Sequence, residues 1–160
     1  MDEKLLEIME NNGEISLEQL AIMTDSTTEE IAQRLDNMKN NGVILGEKTI
    51  IDWSKTKKDV VTALIELKVT PQRGEGFDKI AERIYKFPEV QSLYLMTGGY
   101  DLMVIVEHDT MQKVAHFVSS RLATMDSVVS TSTHFILKKY KYEGFIFGEE
   151  EKDGREVITL

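Results

Sequence analysis

The chain has 160 residues, enough for one ordinary domain or two small ones. Its composition, 41% hydrophobic and 29% charged, is that of a soluble globular protein and excludes a disordered chain. No apolar run approaches the roughly 18 residues that span a bilayer, and the first residues do not resemble a secretion signal, so we expect a cytoplasmic protein with no membrane partner. Zero cysteines exclude disulfides and thiolate ligands.

The net charge of −9 is concentrated in the first third of the chain. Residues 1–54 contain 4 Lys+Arg and 12 Asp+Glu, a balance of −8, whereas residues 55–160 contain 15 and 16, a balance of −1. Nucleic-acid-binding modules usually have the opposite bias, because neutralisation of phosphates supplies much of their affinity. Charge alone therefore argues against DNA as a partner of the first third.

The residue pattern of that same segment nevertheless predicts a helix-turn-helix. Ser16 with Gln19, and Thr27 with Glu30, have the spacing of capping boxes, and each pair opens a helix. A short polar break at residues 24–26 separates the two, and an earlier amphipathic helix covers residues 2–10. The third helix has an apolar stripe at i, i+4 and i+7, formed by Ile31, Leu35 and Met38. Three helices with a tight second turn form a known DNA-binding unit.

Two short apolar runs, residues 43–45 and 49–51, follow the third helix and flank a Gly-Glu-Lys turn. They predict a small β-hairpin, or wing. Residues 1–52 are thus expected to form a winged helix-turn-helix DNA-binding domain, and the polar residues 53–59 a linker.

From residue 60 the hydrophobic period changes to that of strands. Alternation over residues 61–69 predicts a strand with one buried face, and an amphipathic helix ends before Pro88. Strands over residues 90–96 and 102–106 flank a Gly98-Gly99 turn, Thr110 caps a second helix, and residues 128–137 form the last strand. This β-α-β-β-α-β order predicts a ferredoxin-like α+β domain over residues 60–148, with both helices on one face of an antiparallel sheet. The other face needs cover, and a second subunit is the obvious candidate.

The end of the chain is less regular. Aromatic residues on either side of Gly144 indicate one more strand, which could pair across a dimer. Residues 149–160 are expected to form an acidic, solvated tail.

Three motifs in register resemble the Lrp/AsnC family of feast/famine regulators, from about residue 4 to residue 148. The motif at residues 34–44 resembles the end of the family's recognition helix and its entry to the wing. Residues 97–101 (Thr-Gly-Gly-Tyr-Asp) resemble its second-to-third strand turn, and residues 128–133 (Val-Val-Ser-Thr-Ser-Thr) the start of its fourth strand. The resemblance implies a sequence-specific transcriptional regulator that binds double-stranded DNA and a small-molecule effector, usually an amino acid. It also implies a homodimer that assembles into tetramers or octamers.

The candidate DNA-contacting residues are the polar side chains of the third helix. Amides read adenine, arginine reads guanine, and threonine reaches phosphate or the thymine methyl group. The competing interpretation is that Arg34 bridges Glu30 at i, i+4 and that the amides are only solvated. Glu29 and Glu30 interact favourably with the helix dipole, but they would also approach the DNA phosphates. These two acids are a departure from the basic helix that is usual in the family. The candidates are Thr27, Thr28, Gln33, Arg34 and Asn37.

The candidate effector site combines the Gly-Gly turn with the last strand. Glycines allow backbone N–H groups to approach a carboxylate, Tyr100 would form a wall, and Asp101 would pair an α-ammonium. The simpler interpretation is a hairpin with positive φ and ordinary strand residues. The candidates are Thr97, Gly98, Gly99, Tyr100, Asp101, Ser130, Thr131, Ser132 and Thr133.

Two alternatives remain open. The acidic first third favours an amino-acid sensor or assembly module with weak or lost DNA binding. Siroheme decarboxylases resemble the same two-domain layout, but the chain shows no clustered His/Arg set for a tetrapyrrole. The three scattered histidines, His108, His116 and His134, indicate no metal site, cofactor or catalytic arrangement, so we expect no enzyme.

Overall fold

The computed structural model describes residues 1–71 and 76–148, and the acidic tail expected at residues 149–160 lies outside them. The chain divides into two compact units, the first covering Met1–Ile51 and the second beginning at Asp52. In the part of the chain that the structure describes, no helix is both long and apolar enough to cross a membrane.

The first unit contains the three helices expected from the sequence: α1 (Asp2–Asn11), α2 (Leu17–Thr24) and α3 (Thr28–Asn40). Both capping boxes are formed. The Ser16 hydroxyl accepts from the Gln19 N–H while the Gln19 side chain accepts from the Ser16 N–H, and Thr27 with Glu30 does the same for α3. The core of the unit is made of Leu5, Leu20, Ala21, Ile31, Leu35 and Met38.

The tight turn between α2 and α3 depends on Asp25. This residue has φ of 51°, a left-handed conformation that aspartate tolerates better than most residues. The Ser26 N–H returns to the Ala21 carbonyl at 3.0 Å, which satisfies one of the free carbonyls at the end of α2. The helix-turn-helix prediction is confirmed.

The predicted wing is wrong: residues 43–51 contain no strand. Gly42, with φ of +70°, turns the chain back so that the N–H groups of Val43 and Ile44 both bond to the Met38 carbonyl. These donors cap α3 instead of pairing with residues 49–51. A two-stranded hairpin alone is marginal in water, and Leu45, 93% exposed, finds no apolar surface to stabilise one.

The second unit begins with a 3₁₀ turn at Trp53–Lys55 and then follows the predicted β-α-β-β-α-β order. Its elements are β1 (Val61–Val69), α4 (Gly76–Tyr85), β2 (Val90–Leu95), β3 (Leu102–His108), α5 (Met111–Phe117) and β4 (Val128–Phe135). The sheet is antiparallel with strand order β2-β3-β1-β4, so β1 and β3 are central and β2 and β4 are edges.

Side-chain alternation on β1 gives the sheet two different faces. Ala63, Ile65 and Leu67 are fully buried beneath α4 and α5. The intervening residues point to the opposite face, where none of the helices in the described ranges packs. We call this the open face; the strand register assigns to it Leu64, Glu66, Lys68, Tyr94, Met103, Ile105, Ser130, Ser132 and His134.

The segment after β4 forms a hairpin, not the single strand expected from the sequence. Strands β5 (Lys141–Tyr142) and β6 (Phe145–Ile146) pair with each other across Glu143 and Gly144, both at positive φ. These two conformations are those of the tight turns that favour hairpins, which explains why the chain reverses here.

This hairpin lies beside one end of the open face. Lys139 Nζ is 3.5 Å from Glu107 Oε1. Burial raises the pKa of the Tyr142 hydroxyl, with smaller contributions from Glu143, Tyr94 and Glu107. Tyr94 lies on the open face and Glu107 at its end, so β5 and β6 contribute to the same surface.

We expect Leu5→Ala to destabilise the first unit by about 2–5 kcal/mol, because this side chain is completely buried and its loss leaves a cavity. The measurement is amide hydrogen exchange of α2 and α3 in the full chain. Leu45→Ala, at a position 93% exposed, is the matched control and should change protection by less than about 0.5 kcal/mol. Equal effects of the two substitutions would contradict this packing.

Candidate nucleic-acid interface and ligand site

The outward side of α3 presents amides and carboxylates. Gln33, Asn37 and Asn40 are spaced i, i+4 and i+7 and are all exposed, opposite the buried stripe. Glu29 and Asp36 share this side and are also exposed. Asn40 is missing from the sequence-based set, although the same spacing argument could have found it.

Arg34 lies at the edge of this surface and is turned toward α1. Its Nη1 is 2.8 Å from Asp2 Oδ1, not from Glu30 as the competing sequence interpretation expected. The side chains are 43% and 56% exposed, so the ion pair contributes at most about 1 kcal/mol and can open at little cost. Nothing in the sequence spacing indicated a partner 32 positions away.

The two threonines of the predicted set both have local partners. The Thr27 hydroxyl accepts the N–H of Glu30 as the cap of α3, and the Thr28 hydroxyl donates to Glu29 Oε2 at 3.2 Å. Thr27 therefore shapes the start of the helix. Thr28 is half-buried, with its hydroxyl directed at the first turn.

A cavity of about 610 Å³ lies at the turn between α2 and α3, and its described lining includes three carboxylates and no basic residue. The carboxylates belong to Glu18, Asp25 and Glu29. Hydrogen bonds from the backbone of Glu18 and from the Ser16 hydroxyl lower the pKa of the Glu18 carboxyl, so this group is charged at neutral pH. Phosphates that approach α3 from this side meet repulsion.

In the second unit, the Thr97–Asp101 turn connects β2 to β3 at one end of the sheet. Gly98 has φ of +117°, a conformation that side-chain-bearing residues rarely adopt, whereas Gly99 does not have positive φ. The Met96 N–H bonds to the Asp101 carbonyl at 2.8 Å and closes the turn. The Tyr100 hydroxyl lies 3.9 Å from Met103 Sδ.

Asp101 holds this turn against β1. Its N–H donates to the Leu67 carbonyl at 2.9 Å, and its Oδ2 accepts the Val69 N–H at 2.8 Å. Lys68 Nζ lies 3.5 Å from Oδ1. The carboxylate expected to pair a ligand ammonium is thus already engaged by the backbone and by a lysine.

The four hydroxyl residues of β4 do not share one direction. Thr131 and Thr133 lie opposite Leu67 and Ile65 and point to the helix-covered face. Ser130 and Ser132, opposite Lys68 and Glu66, point to the open face. Strand alternation therefore lets two of the four, at most, reach one small ligand.

The turn and the start of β4 still lie at the same end of the sheet. Leu67 of β1 bonds to Asp101 on one side and pairs with Thr131 on the other. Because neighbouring strands are about 4.8 Å apart, the two groups are separated by roughly 10 Å across β1.

Comparison with known proteins identifies the family. The family model described as the Lrp/AsnC ligand binding domain matches residues 62–145. The chain belongs to the Lrp/AsnC family. It is 47% identical over 157 residues to the HTH-type transcriptional regulator YugG of Bacillus subtilis, covering 98% of this chain and 95% of that protein.

Solved structures agree on the fold. A transcriptional regulator of Neisseria meningitidis in complex with L-Met matches with a TM-score of 0.70 and 21% identity, covering 88% of this chain and 90% of that one. Escherichia coli AsnC matches with a TM-score of 0.67 and 22% identity, covering 88% and 93%. The family model and the 47% identity to an HTH-type transcriptional regulator confirm the regulator hypothesis: this chain is a transcriptional regulator with a ligand-binding domain of the Lrp/AsnC type.

We expect Asp101→Ala to lower the free energy of unfolding by about 1–3 kcal/mol in the absence of ligand. The substitution leaves the N–H of the buried residue Val69 without its acceptor. Urea unfolding of the full chain measures this. Asp126→Ala, at an exposed aspartate outside the turn, is the control and should be nearly neutral. If Asp101→Ala has the same free energy of unfolding as the wild type, Asp101 does not hold the turn, and ligand binding would be its only role.

Proposed function

We propose that this Lrp/AsnC protein reads DNA through the amides on the outward side of α3. The observation that supports this proposal is that the second helix of the helix-turn-helix exposes three amides at i, i+4 and i+7, those of Gln33, Asn37 and Asn40. Amide side chains can form paired hydrogen bonds with adenine in the major groove. Because such a regulator acts on the chromosome, we also propose a cytoplasmic location.

Charge sets the strength of this binding. Glu29, Asp36 and the acidic cavity at the turn oppose phosphates, so base contacts and a second copy of α3 in a dimer carry the affinity. Arg34 becomes available to DNA when its exposed ion pair with Asp2 opens. Thr27 and Thr28 are placed at the helix start, where threonine hydroxyls can also reach phosphate.

For the effector we propose the end of the sheet at the Thr97–Asp101 turn. The backbone N–H groups of Thr97, Gly98 and Gly99 would receive a carboxylate, and Tyr100 would form a wall. Ser130 and Ser132 are the hydroxyls on the open face, while Thr131 and Thr133 pack on the helix side. An amino acid bound here would change operator affinity by about 1–3 kcal/mol.

Self-association through the open face is also proposed. An antiparallel sheet with helices on one side leaves apolar surface exposed on the other, and Tyr94 is 48% exposed. Leu64 and Ile105 lie at the middle of this face, opposite each other on β1 and β3. A homodimer formed here can assemble further into tetramers or octamers.

For DNA recognition, we select duplexes from a random pool with the wild-type protein and measure Kd by mobility shift. Gln33→Ala and Asn37→Ala should each weaken binding by about 1–3 kcal/mol, because an adenine contact is lost. Glu29→Gln should tighten binding by removing a charge near phosphate. The Kd of the wild-type protein for the selected duplex is then measured with each amino acid added, and an amino acid that changes this Kd is an effector.

The matched control is Gln112→Ala, an exposed glutamine on α5 that should leave Kd unchanged. If no duplex is enriched at low salt, with or without amino acids, the sensor without DNA binding is the better description. If Gln33→Ala and Asn37→Ala bind like the wild type, α3 does not read bases.

For the dimer, we expect Leu64→Lys to shift the full chain toward monomer in light scattering coupled to size-exclusion chromatography. A lysine in the middle of an apolar contact leaves a buried charge without a partner. Leu95→Lys, at a 62% exposed position outside the open face, is the control and should leave the molar mass unchanged. A dimer that survives Leu64→Lys, with an unchanged melting curve, would place the interface elsewhere.

A further inference from the structure

Residues 53–58 (Trp-Ser-Lys-Thr-Lys-Lys) form a short basic segment in an acidic protein. They contain three lysines and no acid, whereas the whole chain has a net charge of −9. All three lysines, Lys55, Lys57 and Lys58, are exposed. We call this stretch the lysine segment. It attracts anions that a protein of this net charge otherwise repels.

The first unit has few cations with which to bind DNA. It contains four, and two of them are engaged: Lys4 Nζ donates to a backbone carbonyl at 2.9 Å, and Arg34 pairs with Asp2. The other two are Lys39 and Lys48. Phosphate contacts supply much of the affinity of DNA-binding proteins, so a regulator with this first unit needs cations from elsewhere in the chain.

A capped 3₁₀ turn fixes the start of the lysine segment. Asp52 Oδ1 accepts from the Ser54 N–H at 3.1 Å and from the Ser54 hydroxyl at 2.5 Å, so this carboxylate is directed into the turn. The N–H and the hydroxyl of Thr56 both donate to the Trp53 carbonyl, at 3.0 and 2.9 Å. A segment that is ordered in advance loses less conformational entropy when it binds a partner.

The three lysines are in different states. Lys58 Nζ lies 4.2 Å from the centroid of the Trp53 ring, which is a cation–π contact. The side chains of Lys55 and Lys57, in contrast, have no hydrogen bond or ion pair within residues 1–71 and 76–148. These two ammonium groups are available to a ligand. One exposed acid, Asp59, follows the segment and weakens its field.

A second run of lysines shows the contrast. Residues 138–141 also hold three lysines within four positions. There Lys139 Nζ lies 3.5 Å from Glu107 Oε1, and Lys138 Nζ lies 4.8 Å from the centroid of the Tyr140 ring. This run leads into the hairpin beside the open face, where we propose that a second subunit binds. The lysine segment is the basic stretch that remains for another partner.

The chain keeps the lysine segment close to the first unit. Ile51 is the last residue of that unit, and Lys55 follows four residues later. An extended chain advances at most about 3.6 Å per residue, so Lys55 is no more than about 14 Å from the end of the unit. This limit holds for any arrangement of the two units. Phosphates of a duplex bound by the first unit are therefore a short distance from these lysines.

We propose that the lysine segment binds the phosphate backbone of a DNA duplex, with Lys55 and Lys57 as donors to phosphate oxygens. Phosphate contacts contribute affinity without sequence information, so the segment complements the base contacts of α3. The identity of the partner rests on the proposed function, because the duplex is the one that α3 reads. The two contributions are separable, since phosphate contacts carry most of the salt dependence and base contacts carry the sequence preference.

The test is the salt dependence of DNA binding by the full chain. Kd is measured by mobility shift for the selected duplex and for a scrambled duplex of equal length, from about 50 to about 200 mM KCl. Each phosphate contact contributes about 0.9 to the slope of log K against log salt, so Lys55→Gln combined with Lys57→Gln should reduce the slope by about 1.8. Both duplexes should bind about tenfold or more weakly, and in equal proportion.

Matched variants separate this effect from a general change of charge. Lys79→Gln combined with Arg83→Gln also removes two positive charges, at exposed positions of α4, and should leave the slope unchanged. Lys55→Arg combined with Lys57→Arg keeps both charges and should keep the wild-type slope. Light scattering verifies that each variant retains the molar mass of the wild type, so that a change of assembly is not mistaken for a lost contact.

Trp53 provides a second readout, because it is the only tryptophan in the sequence. Its side chain is half-buried. DNA on the lysine segment should shield it, so acrylamide should quench Trp53 fluorescence less in the complex than in the free protein. Salt that dissociates the DNA should restore the original quenching. Unchanged quenching in the complex would overturn the inference, because the DNA would not cover the segment.

The outcomes distinguish this inference from the reading of bases by α3. A wild-type slope in Lys55→Gln with Lys57→Gln, or an equal loss of slope in the α4 control, overturns the inference and leaves α3 unaffected. If the two lysine substitutions lower the slope while Gln33→Ala and Asn37→Ala bind the selected duplex like the wild type, the inference holds and base reading by α3 fails. If neither duplex binds at about 50 mM KCl, the lysine segment does not bind DNA and the inference is overturned.

Discussion

Side-chain alternation along β1 is the constraint on which the second unit depends. Ala63, Ile65 and Leu67 are completely buried beneath two helices, so a slip of one residue would place charged and polar side chains in the core. The register with β3 and β4 then follows, and with it the direction of every side chain on the neighbouring strands. The open face exists because the helices cover only the other side of the sheet.

The same constraint distributes the functional groups. It separates Ser130 and Ser132 from Thr131 and Thr133, so a run of four hydroxyl residues cannot act as one set. It also leaves Asp101 beside the end of β1, where its carboxylate accepts a hydrogen bond from the Val69 N–H. At the opposite end of the sheet, Glu89, His116 and Arg121 are among the residues that line a cavity between the end of β3 and α5. The two ends of one sheet thus offer chemically different surfaces.

The first unit shows how a fold and its charge can oppose each other. Capping boxes and an apolar stripe build the helix-turn-helix, and Glu18 and Glu29, in the first turns of α2 and α3, stabilise these helices through their dipoles. Those same acids surround the turn that faces a DNA backbone in this motif. We infer that, within this unit, two features compensate for the missing phosphate contacts. One is the second copy of α3 in the proposed dimer, and the other is the amide contacts to bases.

Local spacing in the sequence determined the helices, both capping boxes, the alternating strand β1 and the β-α-β-β-α-β order, because these features arise from neighbours a few residues apart. The motifs at residues 34–44, 97–101 and 128–133 also determined the family. Only the tertiary structure decided that Arg34 pairs with Asp2, that Asp101 holds β1, and that Glu89, His116 and Arg121 share a cavity. These contacts join residues distant in sequence, and no periodicity encodes them. The wing failed for a related reason: whether residues 43–51 pair depends on where their N–H groups find acceptors, and the end of α3 supplied one first.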